Sequence, residues 1–338
     1  MSGTRRLKSL ARAQRKTPPP GVTAIASAAP LPLCPITKQP ALRRVQRFSV
    51  SLLTDLWRRA FGVDIAGLYQ GISHIGLYEA HCGLFFFDPM IPGERRFYDS
   101  FYGALHAQNV ITARLRERVE FRRAANLIPA GASVLDVGCG NGAFGRLVPH
   151  AHYRGLDPYA PRDADTAVIR ETLETHAEHH RGAYDVVCAF QVIEHTSDPR
   201  GFAERLIRLL RPNGLLIVCA PLHPSPLTEI PNFLTNIPPH HMTWWNTRAF
   251  CALVEQLDLR PLEIAELPAS PHNALVPWVH KFSFCRSGKA PDERYIAHRW
   301  SWHINLAVSY ALGRAADTLL PMPRSARPID VFMAARRR

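Results

Sequence analysis

The 338-residue sequence has no run of 18 apolar residues free of charge, no CxxC pair and no internal repeat. A membrane-spanning helix needs about 20 predominantly apolar residues, so the first absence excludes one. The best apolar stretch, Ile304 to Leu320, is interrupted by Arg314 and Asp317. The seven cysteines, Cys34, Cys82, Cys139, Cys188, Cys219, Cys251 and Cys285, stand far apart and form no dense disulfide framework. That usage suits a reducing compartment and predicts a cytoplasmic protein. Cys139, Cys188 and Cys219 fall in or beside predicted core strands, where a free thiol behaves as a small hydrophobe. Acid is missing from residues 1–20, which hold six Lys/Arg: Arg5, Arg6, Lys8, Arg12, Arg15 and Lys16.

What is present is a globular composition, 46% hydrophobic and 20% charged. The net charge of +13 is concentrated at the ends. Setting aside the six N-terminal cations leaves 35 basic against 28 acidic residues, a balance of +7, and Arg336, Arg337 and Arg338 supply three more of the positives. Such tails read as solvated, and nucleic acid, which a basic surface would attract, is not the expected partner. Residues 1–33 imitate a targeting peptide, with Ala26-Ser27-Ala28 resembling a cleavage site. Their apolar part is short and broken by Pro18-Pro19-Pro20, Pro30 and Pro32, so a disordered leader is expected.

Residues 34–96 form an accessory segment. Helical spacing of Leu52, Leu53, Leu56, Trp57 and Phe61 predicts a helix over Ser51 to Phe61. Ile75 to Pro89 reads as two short strands around a turn at Cys82-Gly83. From Phe97 to Ile128 the pattern is helical, in two stripes: Tyr98, Phe101, Tyr102 and Leu105, then Leu115, Val119, Ala124 and Leu127.

Beyond Pro129 strands and helices alternate. Strands are predicted at Val134–Val137, Tyr153–Asp157, Thr166–Ile169, Tyr184–Phe190, Leu215–Ala220, Leu259–Leu267 and Asp330–Ala335. Helices fall near Ala143, over Phe202–Leu210, stopped by Arg211-Pro212-Asn213-Gly214, and over Thr247–Leu257, capped by Asn246 or Thr247. The fold class is α/β: a Rossmann-like seven-stranded, mostly parallel sheet with helices on both faces. Residues 268–328 interrupt the rhythm before the last strand. They are read as a cap with one long helix, roughly Asp292 to Leu320.

The chain is organised around Ser133 to Gly145. A buried strand ending in Asp136-Val137 runs into Gly138, Gly140 and Gly142, which let the backbone turn sharply and approach a ligand. Gly140-Asn141-Gly142-Ala143-Phe144-Gly145 matches the GxGxxG of dinucleotide sites, and Asp157 lies near the distance of a ribose-binding acid. The fuller pattern, Asp136-x-Gly138-x-Gly140-x-Gly142, puts a carboxylate at the entrance. It would repel a pyrophosphate and suits a cationic or amino-bearing ligand.

That pattern resembles the first motif of the class I S-adenosylmethionine-dependent methyltransferases. Arg154-Gly155-Leu156-Asp157 resembles their second strand, whose terminal acid takes both ribose hydroxyls. Phe190-Gln191-Val192-Ile193-Glu194-His195 resembles the segment after the fourth strand. Leu210-Arg211-Pro212-Asn213-Gly214-Leu215-Leu216 resembles the turn before the fifth, with Asn213 in place of a glycine. Pro238-Pro239-His240-His241-Met242-Thr243-Trp244-Trp245 resembles the entry to the helix before the sixth. Together they resemble the branch of ubiquinone-pathway O-methyltransferases and of sugar and surface-polysaccharide methyltransferases, best over residues 115–267. Relatives carry a zinc knuckle in the N-terminal segment. Here Thr37 and Glu79 replace the partners of Cys34 and Cys82. A structural zinc needs four ligands, so a degenerate knuckle without metal is expected.

The resemblance implies S-adenosyl-L-methionine as cofactor, held by Asp136, Gly138, Gly140, Asn141, Gly142, Asp157, Pro158, Phe190 and Gln191. It places residues 97–267 and 329–338 in the methyltransferase domain. The acceptor is expected to be a small molecule or glycan precursor, methylated at oxygen. The candidate bases are His195, then His240 and His241, since an imidazole is poised near neutral pH. An RNA methyltransferase, a cofactor-binding module without turnover and an NAD(P)-dependent oxidoreductase are the rival readings. Against the first, Gln191-Val192-Ile193-Glu194 stands where base-amino methylation resembles "[DN]-PP-[FYW]".

Overall fold

The computed structural model describes residues 30–107, 118–289, 293–323 and 325–338. Leu31 to Arg338 form one compact unit. Strands β4 (Ser133–Val137), β5 (His152–Leu156), β6 (Val168–Ile169), β7 (Tyr184–Phe190), β8 (Leu210–Pro221), β10 (Leu259–Leu267) and β11 (Asp330–Arg337) build a seven-stranded sheet. Their order is β10-β11-β8-β7-β4-β5-β6. β4 pairs in parallel with both β5 and β7, and β7 with β8, while β11 runs antiparallel to β8 and β10.

The central strands β4, β7 and β8 (from Leu215) read as near-continuous apolar runs because both faces are covered. Alternate residues point opposite ways. Leu135, Val137, Val187, Ala189, Leu216, Val218, Val331 and Met333 meet helices α5 (Pro199–Leu209) and α7 (Thr247–Gln256) through Phe202, Leu206, Phe250 and Leu253. Val134, Val186, Cys188, Phe190, Leu215, Ile217, Cys219 and Phe332 meet Phe121 and Ala124 of α3 (Val119–Ala125) and Phe144. Cys188 and Cys219 thus sit in the core as expected. Asn246 is the N-cap of α7, its side chain accepting from the Ala249 amide. Asn213 takes the left-handed conformation (φ 61°) that favours glycine and that asparagine tolerates.

The accessory sheet is antiparallel, with order β1-β2-β3-β9. β1 (Arg43–Ser49), β2 (His74–Glu79) and β3 (Phe85–Asp88) come from the N-terminal segment, but β9 (Thr243–Trp244) follows the His240-His241 pair. Its pairing, Phe85 with Trp244 and Phe86 with Thr243, draws that pair across the domain. Under the sheet, α1 (Val50–Phe61) and α2 (Arg95–Ala107) bury Trp57, Phe97 and Phe101 around one aromatic cluster.

Two local expectations are corrected. The helix expected at Ala143 is only a 3-10 turn, Ala143–Leu147. Pro149 follows, and the residue before a proline avoids the α region; Val148 stands at φ −122°, ψ 49°. The cap holds the one long helix expected, α9 (Trp300–Leu319), together with the short α8 (Leu275–Phe282); the short α4 (Leu173–His179) and α6 (Pro226–Glu229) lie elsewhere. α9 starts eight residues after the expected Asp292, which itself lies outside the described residues. Side chains hold the preceding segment extended. Gln46 accepts from the Tyr295 amide and donates to the Ile296 carbonyl, and Asn232 bonds both backbone groups of Ala297. Leu115, expected to open the second helical stripe, and the leader up to Ala29 also lie outside the described residues. No helix among the described residues is long and apolar enough to cross a membrane.

Candidate active site

An open α/β sheet binds ligands beyond the carboxyl ends of its parallel strands, where the strand order reverses. Here the reversal lies at β4, flanked by β5 and β7, and the glycine turn leaves from its end. Gly138 is left-handed (φ 72°), and a Cβ there would collide with the Val192 side chain. Gly140 is left-handed too (φ 57°), yet a Cβ on it would meet nothing within 4 Å. Its backbone therefore faces open space. The Gly140 amide donates to Asp157 Oδ2 at 2.9 Å, and the Tyr159 amide to Oδ1 at 2.8 Å. Asn141 and Pro158 are exposed beside them, and Gly142 is buried under the turn. The acid after β5 and the glycine turn after β4 thus meet, as a cofactor carrying both a ribose and an amino acid requires.

Two expected cofactor residues lie below this surface. Phe190 packs at 4.9 Å from both Phe121 and Phe144 in the core. Asp136 is 2% exposed and accepts from the Tyr153 hydroxyl at 3.0 Å. Burial pushes its carboxyl up to about 7 from the usual 3.8. The proton kept in the fold stabilises it fully below the unfolded value, and this is lost as pH rises through about 7. Asp136→Asn removes that titration. Between pH 5 and pH 8 the variant should therefore gain on the order of 2 kcal/mol relative to the wild type, read from urea unfolding at both pH values. An unchanged difference at the two pH values would refute the buried proton.

The third element is a histidine cluster. Gln191 leaves β7 in the left-handed region (φ 59°), and a 3-10 turn, Ile193–His195, follows. The Met242 amide donates to the Glu194 carbonyl at 2.7 Å, fastening this turn to the His240-His241 segment. Ring centroids of His195 and His240 lie 4.5 Å apart, of His195 and His241 4.7 Å, and of His240 and His241 4.5 Å. His195 Nδ1 lies 2.6 Å from the His240 carbonyl oxygen, and His241 Nδ1 lies 2.8 Å from Asn236 Oδ1. Both oxygens are acceptors, so the hydrogens sit on Nδ1 and each Nε2 keeps a lone pair. Burial holds His195 down to about 4 and lowers His240 and His241 well below the usual range. All three are neutral at pH 7. Behind them stands Glu194, fully buried, with neither carboxylate oxygen hydrogen-bonded. Burial raises it to about 8.

His240 and His241 line a cavity of about 240 Å³ with Arg118, Gln191, Asn236 and Asp330. Gln191 donates to Asp330 Oδ1 at 3.0 Å. Asp330, raised to about 7 by burial, escaped the sequence reading as a site residue. Topology could have found it. The first residue of an antiparallel strand lies at the carboxyl edge of its parallel neighbours. Arg118, half-buried and paired with the buried Glu120, and Asn236 carried no motif at all.

Cys34 and Cys82 also meet, with sulfurs 3.8 Å apart. The Cys82 hydrogen bond pulls Cys34 down to about 5. Among the described residues they gather no third cysteine, histidine or carboxylate ligand around them.

Residues 107–264 match the family model described as a methyltransferase domain. The chain is 35% identical over 97 residues to the ubiquinone biosynthesis O-methyltransferase of Cronobacter sakazakii, covering 25% of this chain and 40% of that protein. It is 37% identical over 97 residues to that of Sodalis glossinidius, covering 25% and 39%. The match thus spans about two fifths of the curated relatives' length. Among solved structures, the Burkholderia thailandensis 1,6-didemethyltoxoflavin-N1-methyltransferase is similar at 11% identity and TM-score 0.44, over 78% of this chain and 95% of that one. The sheet and its glycine turn define a Rossmann-like α/β domain. With the family match, it is a class I S-adenosylmethionine-dependent methyltransferase domain. The residues fit that cofactor: Gly140 offers an open backbone, and Asp157 a carboxylate at the same edge.

Proposed function

We propose that the protein transfers the methyl group of S-adenosylmethionine to a hydroxyl of a small molecule or glycan precursor. The sulfonium methyl is already activated, so the protein must align the acceptor and relieve it of a proton. The observation that carries this reading is the cluster of three neutral imidazoles, of which His240 and His241 line the cavity and His195 packs against both, on the sheet edge that also holds Gly140 and Asp157. The locked Nδ1–H of His195 leaves Nε2 as an acceptor, and His195 is assigned as the base. Gly138, Gly140, Asn141 and Gly142 would run beneath the amino acid end of the cofactor. Asp157 and Pro158 would lie at the ribose, with Gln191 near the reacting end. Asp136 and Phe190 would support the turn from below. The ubiquinone O-methyltransferases matched over 97 residues favour oxygen as the methyl acceptor.

Calorimetry separates this reading from its rivals. S-adenosylhomocysteine should bind at micromolar concentration and NADH should not. The opposite pattern would assign the turn to a dinucleotide. Binding without transfer to any hydroxyl acceptor in a radiolabelled-methyl screen would leave a binding module.

A further inference from the structure

The histidine cluster has a property that proton transfer does not use. Its three imidazoles each offer a nitrogen within 4.8 Å of the others'. Two of them face one carboxylate oxygen: Glu194 Oε1 lies 3.8 Å from His195 Nε2 and 4.0 Å from His241 Nε2. The outer nitrogens of these two rings are already taken by the His240 carbonyl and the Asn236 amide oxygen. Metal-binding histidines are oriented in this way, the far N–H held by a backbone or side-chain oxygen so that the near lone pair points at the ion. His240 Nδ1, buried, has no hydrogen-bond partner.

Glu194 is the independent observation. It is fully buried, and neither oxygen has a hydrogen bond, although both nearest ring nitrogens are acceptors and cannot donate. A carboxyl group so placed has no partner to offset the loss of its hydration. Protonation relieves that cost in part, and a cation seated among the nitrogens would relieve it directly. A tetrahedral ion about 2.0–2.1 Å from each ligand sets its ligands about 3.3 Å apart. The separations from Glu194 Oε1 to the two rings, 3.8 and 4.0 Å, need to close by about 0.5–0.7 Å to reach this.

We propose that His195, His240, His241 and Glu194 form a binding site for a first-row divalent cation of the Zn²⁺ and Co²⁺ type, opening onto the cavity through His240 and His241. Three imidazoles with one carboxylate favour these borderline ions over Mg²⁺ or Ca²⁺, which take oxygen ligands. The site differs from the zinc knuckle, which lies around Cys34 and Cys82. A lone pair given to an ion cannot also take a proton, so ion-loaded and ion-free protein differ at this wall. The proposal goes beyond the methyl-transfer reading and is measured apart from it.

The test uses the full chain, stripped with a chelator and dialysed. Co²⁺ is followed by its visible ligand-field bands and Zn²⁺ by calorimetry. One equivalent should bind at micromolar concentration or tighter, with the intense Co²⁺ absorption of a tetrahedral site. His241→Gln should weaken binding by at least a hundredfold, and Glu194→Gln by at least tenfold. The Cys34→Ser/Cys82→Ser double variant should bind as the wild type does. Circular dichroism monitors folding, and if His241→Gln does not fold, Glu194→Gln decides. Absence of binding in folded wild type overturns the site, as does binding that survives the histidine and glutamate changes. Loss of binding in the cysteine double variant alone moves the ion to the cysteine pair and equally overturns it. S-adenosylhomocysteine affinity, measured on the same stripped protein, tests the methyl-transfer reading independently.

Discussion

His195→Ala is expected to lower kcat by about 10²–10⁴-fold, the usual worth of a positioned general base, with cofactor affinity unchanged. His195 sits on the turn after β7, fastened through its Nδ1 to the His240 carbonyl, with Nε2 left as acceptor. His195→Gln is the informative companion. Its amide can still donate to that carbonyl but cannot take a proton near neutral pH. If His195 only positions the His240 segment, the glutamine variant should recover most of the rate. If it is the base, both variants should be equally slow. The pH dependence adds a second check. Burial holds the imidazole down to about 4, so its neutral form, and the rate that depends on it, should persist well below pH 6.5 and fail as pH drops through about 4. The same depression acts on stability. Between about pH 6.5 and 4 the unfolded chain takes up a proton that the folded one refuses, so folding weakens as pH falls through that window. His195→Ala should therefore lose less stability than the wild type between pH 7 and pH 5, a difference thermal melting reads directly. An acid limb near pH 6.5 in the wild-type profile would show that the imidazole is not buried as described.

The sheet was legible because parallel strands covered on both faces need near-continuous apolar runs, and Tyr184–Phe190 matches its strand residue for residue. Leu259–Leu267 matches too, but as an antiparallel edge strand that is mostly not buried. The glycine turn was legible for a local reason. Left-handed backbone at Gly138, Gly140 and Gly142 demands that residue type in the sequence itself. The histidine cluster was legible as three separate candidates, not as a cluster. Its assembly depends on β9 pairing with β3, a contact between residues more than 150 positions apart. The meeting of Cys34 with Cys82, 48 positions apart, instead agrees with the knuckle resemblance that placed both in one motif.

Helical periodicity says least in the cap, because it shows which residues share a face but not which face is buried. On α9, Trp300, Ile304, Val308 and Leu312 are exposed, while Asn305, Ser309, Gly313 and Ala316 are buried. The reason is close approach. A Cβ on Gly313 would press on Val279 of α8, so the large side chains face away. Asn305 then caps the turn after α8, its Oδ1 accepting from the amides of Phe284 and Cys285. A polar residue buried for its hydrogen bonds leaves no mark in an apolar pattern.

Asp157→Ala should weaken S-adenosylhomocysteine binding by about a hundredfold or more, because hydrogen bonds to a charged group contribute about 1.5–3 kcal/mol each and two ribose hydroxyls would lose theirs. The carboxylate has a second occupation, and the experiment must separate the two. It accepts from the Gly140 and Tyr159 amides, so its loss also loosens the glycine turn. A loosened turn would lower the melting temperature of the cofactor-free protein and would weaken every ligand alike. A lost ribose contact instead depends on the ligand's hydroxyls. The decisive comparison is therefore a 2′-deoxy analogue of S-adenosylhomocysteine against the parent. The wild type should prefer the parent, and Asp157→Ala should bind the two nearly equally, since the discriminating acceptor is gone. Asp157→Asn, which keeps one acceptor oxygen, should fall between. Unchanged affinity for the parent in Asp157→Ala would take the ribose away from this residue and leave it as a fastener of the turn. Preserved discrimination alongside a general loss of affinity would do the same, because some other group would then be reading the hydroxyl.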